Sequence, residues 1–169
     1  PQPLYPRLDI SISGQTGMRA FAELLSAFTE RGDCILLQGP MGSGKTTFTR
    51  SFVQSLLNDP NLSVTSPTFL LDVTYNGQVF VEELGEVESD SQADVQNSNV
   101  VCEALTVHHI DLWRLDKLDH DRLIDFRSIY RDCVSLIEWP DRLASELMPT
   151  DFVLVVIDFD QELDLDEIL

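Results

Sequence analysis

The sequence predicts an α/β fold, because an apolar strand, a glycine-rich loop and an amphipathic helix follow one another directly. The strand is the apolar run Cys34–Gln38, and the loop follows at once. In the segment after the loop, Phe48, Phe52 and Leu56 recur at helical spacing on one face. The chain has 169 residues, which suits one domain with its own hydrophobic core, and it contains no internal repeat. We therefore expect a single α/β domain over residues 1–169.

Apolar periodicity and turn residues place the remaining elements. Thr16 is positioned to cap a helix with an apolar stripe, and Gly32 is positioned to end it. The dipeptide Asn76-Gly77 lies between two strand-like runs, 69–75 and 78–81, and this pattern predicts a β-hairpin. The other predicted elements are strands near 8–12, before Asp111, at 134–137 and at 152–157, and a helix over 118–131.

The charge of the chain narrows the classes of partner. It carries 29 acidic residues against 11 basic ones, a formal net charge of −18 at pH 7. A large nucleic-acid surface needs clustered basic side chains, so this composition argues against one. It fits a soluble protein or one that docks on a basic partner. The stretch 82–99 holds six acidic residues and no basic one between Glu82 and Asp94, and we interpret it as a surface loop insertion.

Cysteine usage and hydropathy indicate the compartment. None of Cys34, Cys102 and Cys133 has the spacing of a zinc site. Cys34 and Cys133 open apolar runs, where a buried thiol acts as a small hydrophobe. No apolar run approaches the roughly 18 residues that span a membrane, and no signal or transit peptide is recognised. We expect a protein of a reducing compartment, either the cytoplasm or, for a eukaryotic source, an organelle matrix or stroma.

The glycine-rich loop is the strongest functional signal in the sequence. Its octet is Gly39-Pro40-Met41-Gly42-Ser43-Gly44-Lys45-Thr46. Glycines let the backbone curl so that several N–H groups point at one anion, and the helix N-terminus adds its dipole. Lys45 can bridge the β- and γ-phosphates of a nucleotide, and the Thr46 hydroxyl can bind Mg²⁺. The alternative is a glycine turn that binds nothing, but the flanking strand and helix favour a Mg-ATP site. The nucleotide-binding residues predicted in this segment are Gly39, Met41, Gly42, Ser43, Gly44, Lys45, Thr46 and Thr47.

Two carboxylates are candidates to complete the magnesium site. Asp111 and Glu138 each end an apolar strand-like run. Because the carboxyl ends of parallel strands gather at one edge of a sheet, both can approach the phosphates together with Thr46. The alternative for each acid is to cap its strand or to pair with an arginine. His108 and His109 point to opposite faces of a strand, so we expect them to pack or to form hydrogen bonds rather than to share a metal ion.

Four motifs in this order resemble one family, the TsaE family of small ATPases in bacterial and organellar synthesis of tRNA threonylcarbamoyladenosine. The likeness covers roughly residues 9–158, and its third and fourth motifs follow a P-loop in few other proteins. The motifs are the P-loop segment 39–47, Ser66-Pro67-Thr68-Phe69, His109-Ile110-Asp111-Leu112-Trp113-Arg114-Leu115, and Leu136-Ile137-Glu138-Trp139-Pro140.

The resemblance implies a fold and an activity that composition cannot supply. It implies a P-loop NTPase three-layer α/β sandwich with a mixed, mainly parallel sheet. It implies slow, Mg-dependent hydrolysis of ATP. The partners would be the transferase subunit that installs threonylcarbamoyl on the adenosine beside the anticodon, and that subunit's companion. Hydrolysis would support repeated turnover of the complex rather than transfer the group.

The resemblance also assigns roles to residues. Lys45 and Thr46 would hold phosphate and Mg²⁺, with Lys45 also assisting catalysis. Thr68 would belong to a switch-like loop that contacts the nucleotide, although its segment on its own looks like an ordinary turn. Asp111 would be the Walker-B-like acid, and Glu138 the second acid near the metal ion. Trp139 would support that second acid. Three departures from the family pattern are Pro40-Met41, Ser43 and Trp113, none of which removes a phosphate ligand.

Two other functions compete with the partner-dependent ATPase. A small-molecule P-loop kinase is of about this size, but such enzymes use an arginine-rich lid, and the stretch 82–99 contains no arginine or lysine. A regulatory module that binds nucleotide without hydrolysing it has the same motif content. Phosphate release measured with and without partners separates these classes.

Overall fold

The computed structural model describes residues 8, 10–67, 70–83, 99–114 and 123–158. Within these residues, five strands form one sheet, with helices on both of its faces. None of the described helices is long and apolar enough to cross a membrane. The helices are α1 (Gly14–Ser26), α2 (Lys45–Leu56) and α3 (Phe126–Asp132), and the strands are β1 (Cys34–Gln38), β2 (Asp72–Glu83), β3 (Asn99–Asp111), β4 (Val134–Glu138) and β5 (Val153–Val156).

The sheet is mixed and mainly parallel, as expected. Its order is β2-β3-β4-β1-β5. The three pairs β3–β4, β4–β1 and β1–β5 are parallel, and only β2–β3 is antiparallel. The strand that leads into the glycine loop, β1, therefore has β4 on one side and β5 on the other. This order decides which acid comes closest to the loop.

Alternation along β1 divides the core into two layers. Leu37 lies in the cluster that includes Phe48 and Phe52 of α2, and α1 packs on the same side of the sheet. Leu36 belongs to a second cluster with Phe126 of α3. Because neighbouring strand residues point to opposite faces, the short apolar run of β1 is buried from both sides. The result is the three-layer sandwich, with the glycine loop at the carboxyl end of its central strand.

The expected hairpin at Asn76-Gly77 is wrong. Both residues lie in the middle of β2, where they pair with Thr106 and Leu105 of β3. A side-chain carbon at Gly77 would lie 2.9 Å from a methyl group of Leu57, so this glycine provides room for the end of α2. Glycine inside a strand often marks such a close approach instead of a turn. The strands β2 and β3 continue to residues 83 and 99, so the ends of the expected 82–99 insertion are strand, and residues 84–98 lie outside the described part.

The amino-terminal expectations also need correction. Leu8 and residues 10–12 form no strand among the described residues. The first helix begins at Gly14 with Ser13 as its N-cap, so Thr16 lies inside the helix rather than capping it. It ends at Ser26, well before Gly32, which adopts a φ of +95° in the turn that leads to β1. Glycine is placed there by its positive φ, and this signal was assigned to the wrong boundary.

The helix expected over 118–131 is shorter and shifted. The described helix α3 covers Phe126–Asp132, and Asp125 caps it by accepting a hydrogen bond of 3.2 Å from the Ser128 amide. Ile124 precedes the cap and is not helical, while residues 115–122 lie outside the described part. An aspartate at an N-cap satisfies an amide that has no partner within the helix, which explains why the helix starts after Asp125. The strands expected at 34–38, before Asp111, at 134–137 and at 152–157 are confirmed.

Candidate functional site

The loop between β1 and α2 presents backbone amides at a helix N-terminus. Gly44 is the N-cap of α2, has a φ of +104° and offers no side chain to satisfy the amides of the first turn. The first-turn amides and the positive end of the helix dipole are therefore directed at whatever occupies the loop. A Cβ at Gly39 would clash with the carbonyl oxygen of Ile157, so only glycine lets the chain leave β1 beside the end of β5.

Two other loop residues differ in what their side chains can contribute. Met41 is mostly exposed, so it could contribute to nucleotide binding only through its backbone. Ser43 is buried, and its hydroxyl oxygen has no hydrogen-bond partner among the described residues. A buried hydroxyl without a partner costs free energy, which a ligand in the loop could recover.

Lys45 is held over the loop by its ammonium group. Its Nζ donates hydrogen bonds of 2.9 Å to the carbonyl oxygens of Gly39 and Pro40. The same atom lies 4.0 Å from the ring centroid of Trp139, a cation–π contact. Burial lowers the pKa of Lys45, and the nearby carboxylates Glu138 and Asp111 oppose that shift. The cation is thus placed in the mouth of the loop, where a phosphate group could replace its carbonyl partners.

The Thr46 hydroxyl donates a hydrogen bond of 3.0 Å to Oε1 of Glu138. Glu138 is only 3% exposed and ends β4, the strand that neighbours β1. The sequence did not distinguish which of the two acids lies closer to the loop. The strand order does, because β4 separates β3 from β1 and so places Glu138 between Asp111 and the loop.

Asp111 lies beside Glu138 in the sheet, as the parallel-edge argument expects. The two residues are register partners on β3 and β4. Asp111 Oδ1 accepts a hydrogen bond of 2.9 Å from the Trp113 amide. Burial raises the pKa of Asp111, the Trp113 amide lowers it, and the charge of Glu138 raises it further. Two carboxylates at adjacent strand ends concentrate negative charge, an arrangement that a divalent cation would stabilise.

The two histidines of β3 have different partners, as opposite faces require. His108 Nδ1 lies 2.8 Å from Oδ2 of Asp72 on β2. His109 is fully buried, and its Nε2 lies 2.9 Å from Oε1 of Glu138. The expectation of a hydrogen-bonding role is confirmed, but the sequence did not identify Glu138 as the partner. Residue separation gave no signal for it, since 29 positions separate the two residues along the chain.

A comparison with protein families fixes the relationship of the chain. The family model described as "Threonylcarbamoyl adenosine biosynthesis protein TsaE" matches residues 12–165. The chain belongs to the TsaE family of threonylcarbamoyladenosine biosynthesis proteins. The resemblance drawn from the four motifs is therefore confirmed.

Individual relatives agree with this assignment. The tRNA threonylcarbamoyladenosine biosynthesis protein TsaE of Bacillus subtilis is 30% identical over 139 residues, which cover 82% of this chain and 70% of the relative. Its namesake from Haemophilus influenzae is 29% identical, with coverage of 83% and 73%. The crystal structure of Bacillus subtilis YdiB matches with a TM-score of 0.53 at 23% identity, covering 86% of this chain and 72% of that one. This structural likeness shows the shared P-loop fold.

The tryptophan of the fourth TsaE motif has a contact that the sequence could not assign. Trp139 adopts a left-handed backbone with a φ of +62° directly after Glu138, which turns its ring toward Lys45. Its ring also lies 4.4 Å from that of Trp113, and the Arg142 guanidinium lies 4.5 Å from the Trp113 ring. A non-glycine residue with positive φ carries strain that the surrounding contacts must offset. Trp139 is thus linked to the loop lysine as well as to the second acid.

The described residues fit a magnesium–nucleotide complex. No group of three or more His, Cys, Asp or Glu side chains among them could hold a metal ion alone. Mg²⁺ is usually held by one or two carboxylates together with substrate phosphates, so a site at Thr46 and Glu138 would be completed by the nucleotide. The first-turn amides of α2, including that of Thr47, and the buried Ser43 hydroxyl suit the phosphates. Thr68 lies outside the described residues, and its expected contact with nucleotide stays a prediction.

Proposed function

We propose that this TsaE-family protein is a Mg-dependent ATPase that supports threonylcarbamoyl modification of tRNA adenosine. The observation that carries the proposal is the hydrogen bond between Thr46, in the first turn of the P-loop helix, and the buried carboxylate of Glu138. A hydroxyl and a carboxylate in that relation are suited to sharing one Mg²⁺ ion bound to phosphate. The names of the relatives supply the process, threonylcarbamoyladenosine biosynthesis on tRNA.

Each residue of the site has a distinct task in this proposal. The loop amides and Lys45 would hold the phosphates, and Thr46, Glu138 and Asp111 would hold the cation. Bound Mg²⁺ would neutralise charge on the phosphates and so lower the barrier to attack by water. Lys45 would exchange its two carbonyl partners for phosphate oxygens, keeping a charge-assisted contact throughout.

The charge of the chain supports action with partners that themselves hold the tRNA. A net charge of −18 disfavours an extensive nucleic-acid surface on this protein. We infer that the transferase subunit and its companion bind the tRNA, and that this chain docks on them in the cytoplasm or an equivalent organelle compartment. ATP hydrolysis would reset that complex between rounds of modification.

A turnover assay tests this function. Transferase subunits, tRNA, the activated threonylcarbamoyl donor and ATP are combined with wild-type protein, with the Lys45→Ala variant, or with neither. We expect many modified tRNA molecules per complex only with the wild-type protein, and about one with the variant. Equal multiple turnover in all three mixtures would contradict the proposal. Phosphate release measured in the same samples checks that ATP is consumed.

A further inference from the structure

A buried histidine adjoins the carboxylate that we place at the metal ion. His109 has no exposed surface, and its Nε2 lies 2.9 Å from Oε1 of Glu138. Thr46 donates to the same oxygen at 3.0 Å. Two hydrogen bonds from different elements, β3 and α2, thus meet on one oxygen of a side chain that belongs to β4. Neither of them uses the second oxygen, Oε2.

The surroundings of the ring decide which nitrogen carries the proton. A carboxylate oxygen accepts hydrogen bonds, so Nε2 must be a donor for the contact with Glu138 to be favourable. The other ring nitrogen, Nδ1, is buried and has no hydrogen-bond partner among the described residues. A buried imidazole whose single polar contact is a carboxylate is oriented by that contact.

We propose that His109 is a positioning residue that fixes the Glu138 carboxylate for Mg²⁺ by donating a hydrogen bond from Nε2. The inference rests on the proposed function, because it assigns a support to the same site. The ring is rigid and enclosed in the core, so it restricts the carboxylate more than a flexible donor at the surface would. With Oε1 held by His109 and Thr46, Oε2 is left to face the cation.

The expected size of the effect follows from the behaviour of outer-shell partners of metal ligands. Removing such a partner commonly weakens metal affinity by roughly 10- to 100-fold. His109 does not contact the loop amides or Lys45, so nucleotide affinity in the absence of Mg²⁺ should be unchanged. The loss should therefore appear only as a smaller gain in nucleotide affinity when Mg²⁺ is added.

The first test uses the unliganded wild-type protein and needs no variant. Nitrogen NMR of the imidazole side chains distinguishes a protonated Nε2 from one that carries a lone pair. We expect His109 Nε2 to be protonated and hydrogen-bonded. An Nε2 with a free lone pair would overturn the inference, because that nitrogen could not donate to Glu138.

The second test compares two variants of similar polarity. In His109→Gln the amide nitrogen reaches the position of Nε2, whereas in His109→Asn it reaches only that of Nδ1. Calorimetry with ATP, with and without Mg²⁺, should show the Mg-dependent gain nearly restored in the glutamine variant. The gain should fall roughly 10-fold or more in the asparagine variant. In a Glu138→Gln background the asparagine substitution should add no further loss.

The outcomes separate this inference from the proposed function. If the wild-type protein shows no Mg-dependent gain in ATP affinity, both are overturned. If the wild type shows the gain and both His109 variants retain it, only the positioning role is overturned. Equal losses in the two variants, or a further loss in the Glu138→Gln background, would also overturn it, because the effect would then not depend on the donor to Glu138.

Discussion

Replacing Glu138 with glutamine separates the structural contribution of its side chain from the contribution of its charge. In Glu138→Gln the side-chain oxygen can still accept hydrogen bonds from Thr46 and His109, now at 3.0 and 2.9 Å. Each bond changes from charge-assisted to neutral, a loss of about 1 kcal/mol per bond. Removing a buried negative charge beside Asp111 offsets part of that loss, since Glu138 is 3% exposed. We expect the free energy of unfolding to fall by less than about 2 kcal/mol.

The alanine variant at the same position should behave differently. Glu138→Ala removes the acceptor and leaves the buried His109 without a partner, which should cost about 3–5 kcal/mol. For a chain of this size, 1 kcal/mol changes the melting temperature by about 2–4 °C. Thermal unfolding should therefore show a decrease below about 8 °C for the glutamine variant and of about 10 °C or more for the alanine variant.

Hydrolysis and stability should diverge in the glutamine variant. Although Glu138→Gln stays folded, it lacks the charge that Mg²⁺ requires, so phosphate release should fall more than ATP binding does. A glutamine variant as unstable as the alanine variant would refute the hydrogen-bond reasoning. A glutamine variant that hydrolyses ATP at the wild-type rate would remove Glu138 from the mechanism.

The remaining predictions concern the lysine, the second acid and the thiols. Lys45→Ala should weaken ATP binding roughly 100-fold in calorimetry, because one charge-assisted contact to phosphate is lost. Burial raises the pKa of Asp111 above 3.8, so the folded protein binds more protons than the unfolded chain between 3.8 and the raised value, and stability falls as pH rises through that window. Asp111→Asn keeps an acceptor for the Trp113 amide, so in urea unfolding it should be more stable than the wild type at neutral pH, with the gain shrinking near about pH 3.5. Burial raises the pKa of the Cys34 thiol from 9.0 to about 11, so its thiolate fraction is roughly 100-fold lower at about pH 8, and a thiol reagent should modify the exposed Cys102 first.

Each of these predictions has an outcome that contradicts it. Unchanged ATP affinity in Lys45→Ala would show that the ammonium group does not meet phosphate. A stability gain in Asp111→Asn that stays constant with pH would show that the aspartate is not the group that titrates. Rapid modification of Cys34 in the folded protein, found by peptide mapping, would contradict its burial.

The sequence predicted the parts of the fold that local chemistry determines. A phosphate loop needs a strand before it and a helix after it, so β1 and α2 were placed correctly. The Asn76-Gly77 hairpin failed because Gly77 serves a long-range contact with Leu57, and no local pattern distinguishes that role from a turn. The helix boundary failed for a similar reason, since capping by Asp125 competes with the longer apolar pattern.

The site shows the same division between local and long-range information. The sequence identified Lys45, Thr46 and both acids, because each lies at a strand or helix end that can be recognised locally. It could not rank Asp111 and Glu138, because their distance from the loop depends on strand order, a property of the whole sheet. The contact between His109 and Glu138 requires the same order, as does the position of the Trp139 ring over Lys45.

The most direct test of the site is a calorimetric titration of ATP into the wild-type protein with and without Mg²⁺. If amides, Lys45 and a cation shared by Thr46 and Glu138 hold the nucleotide, ATP should bind one to one and more tightly when Mg²⁺ is present. Absence of saturable heat, or an affinity that Mg²⁺ does not change, would contradict the account.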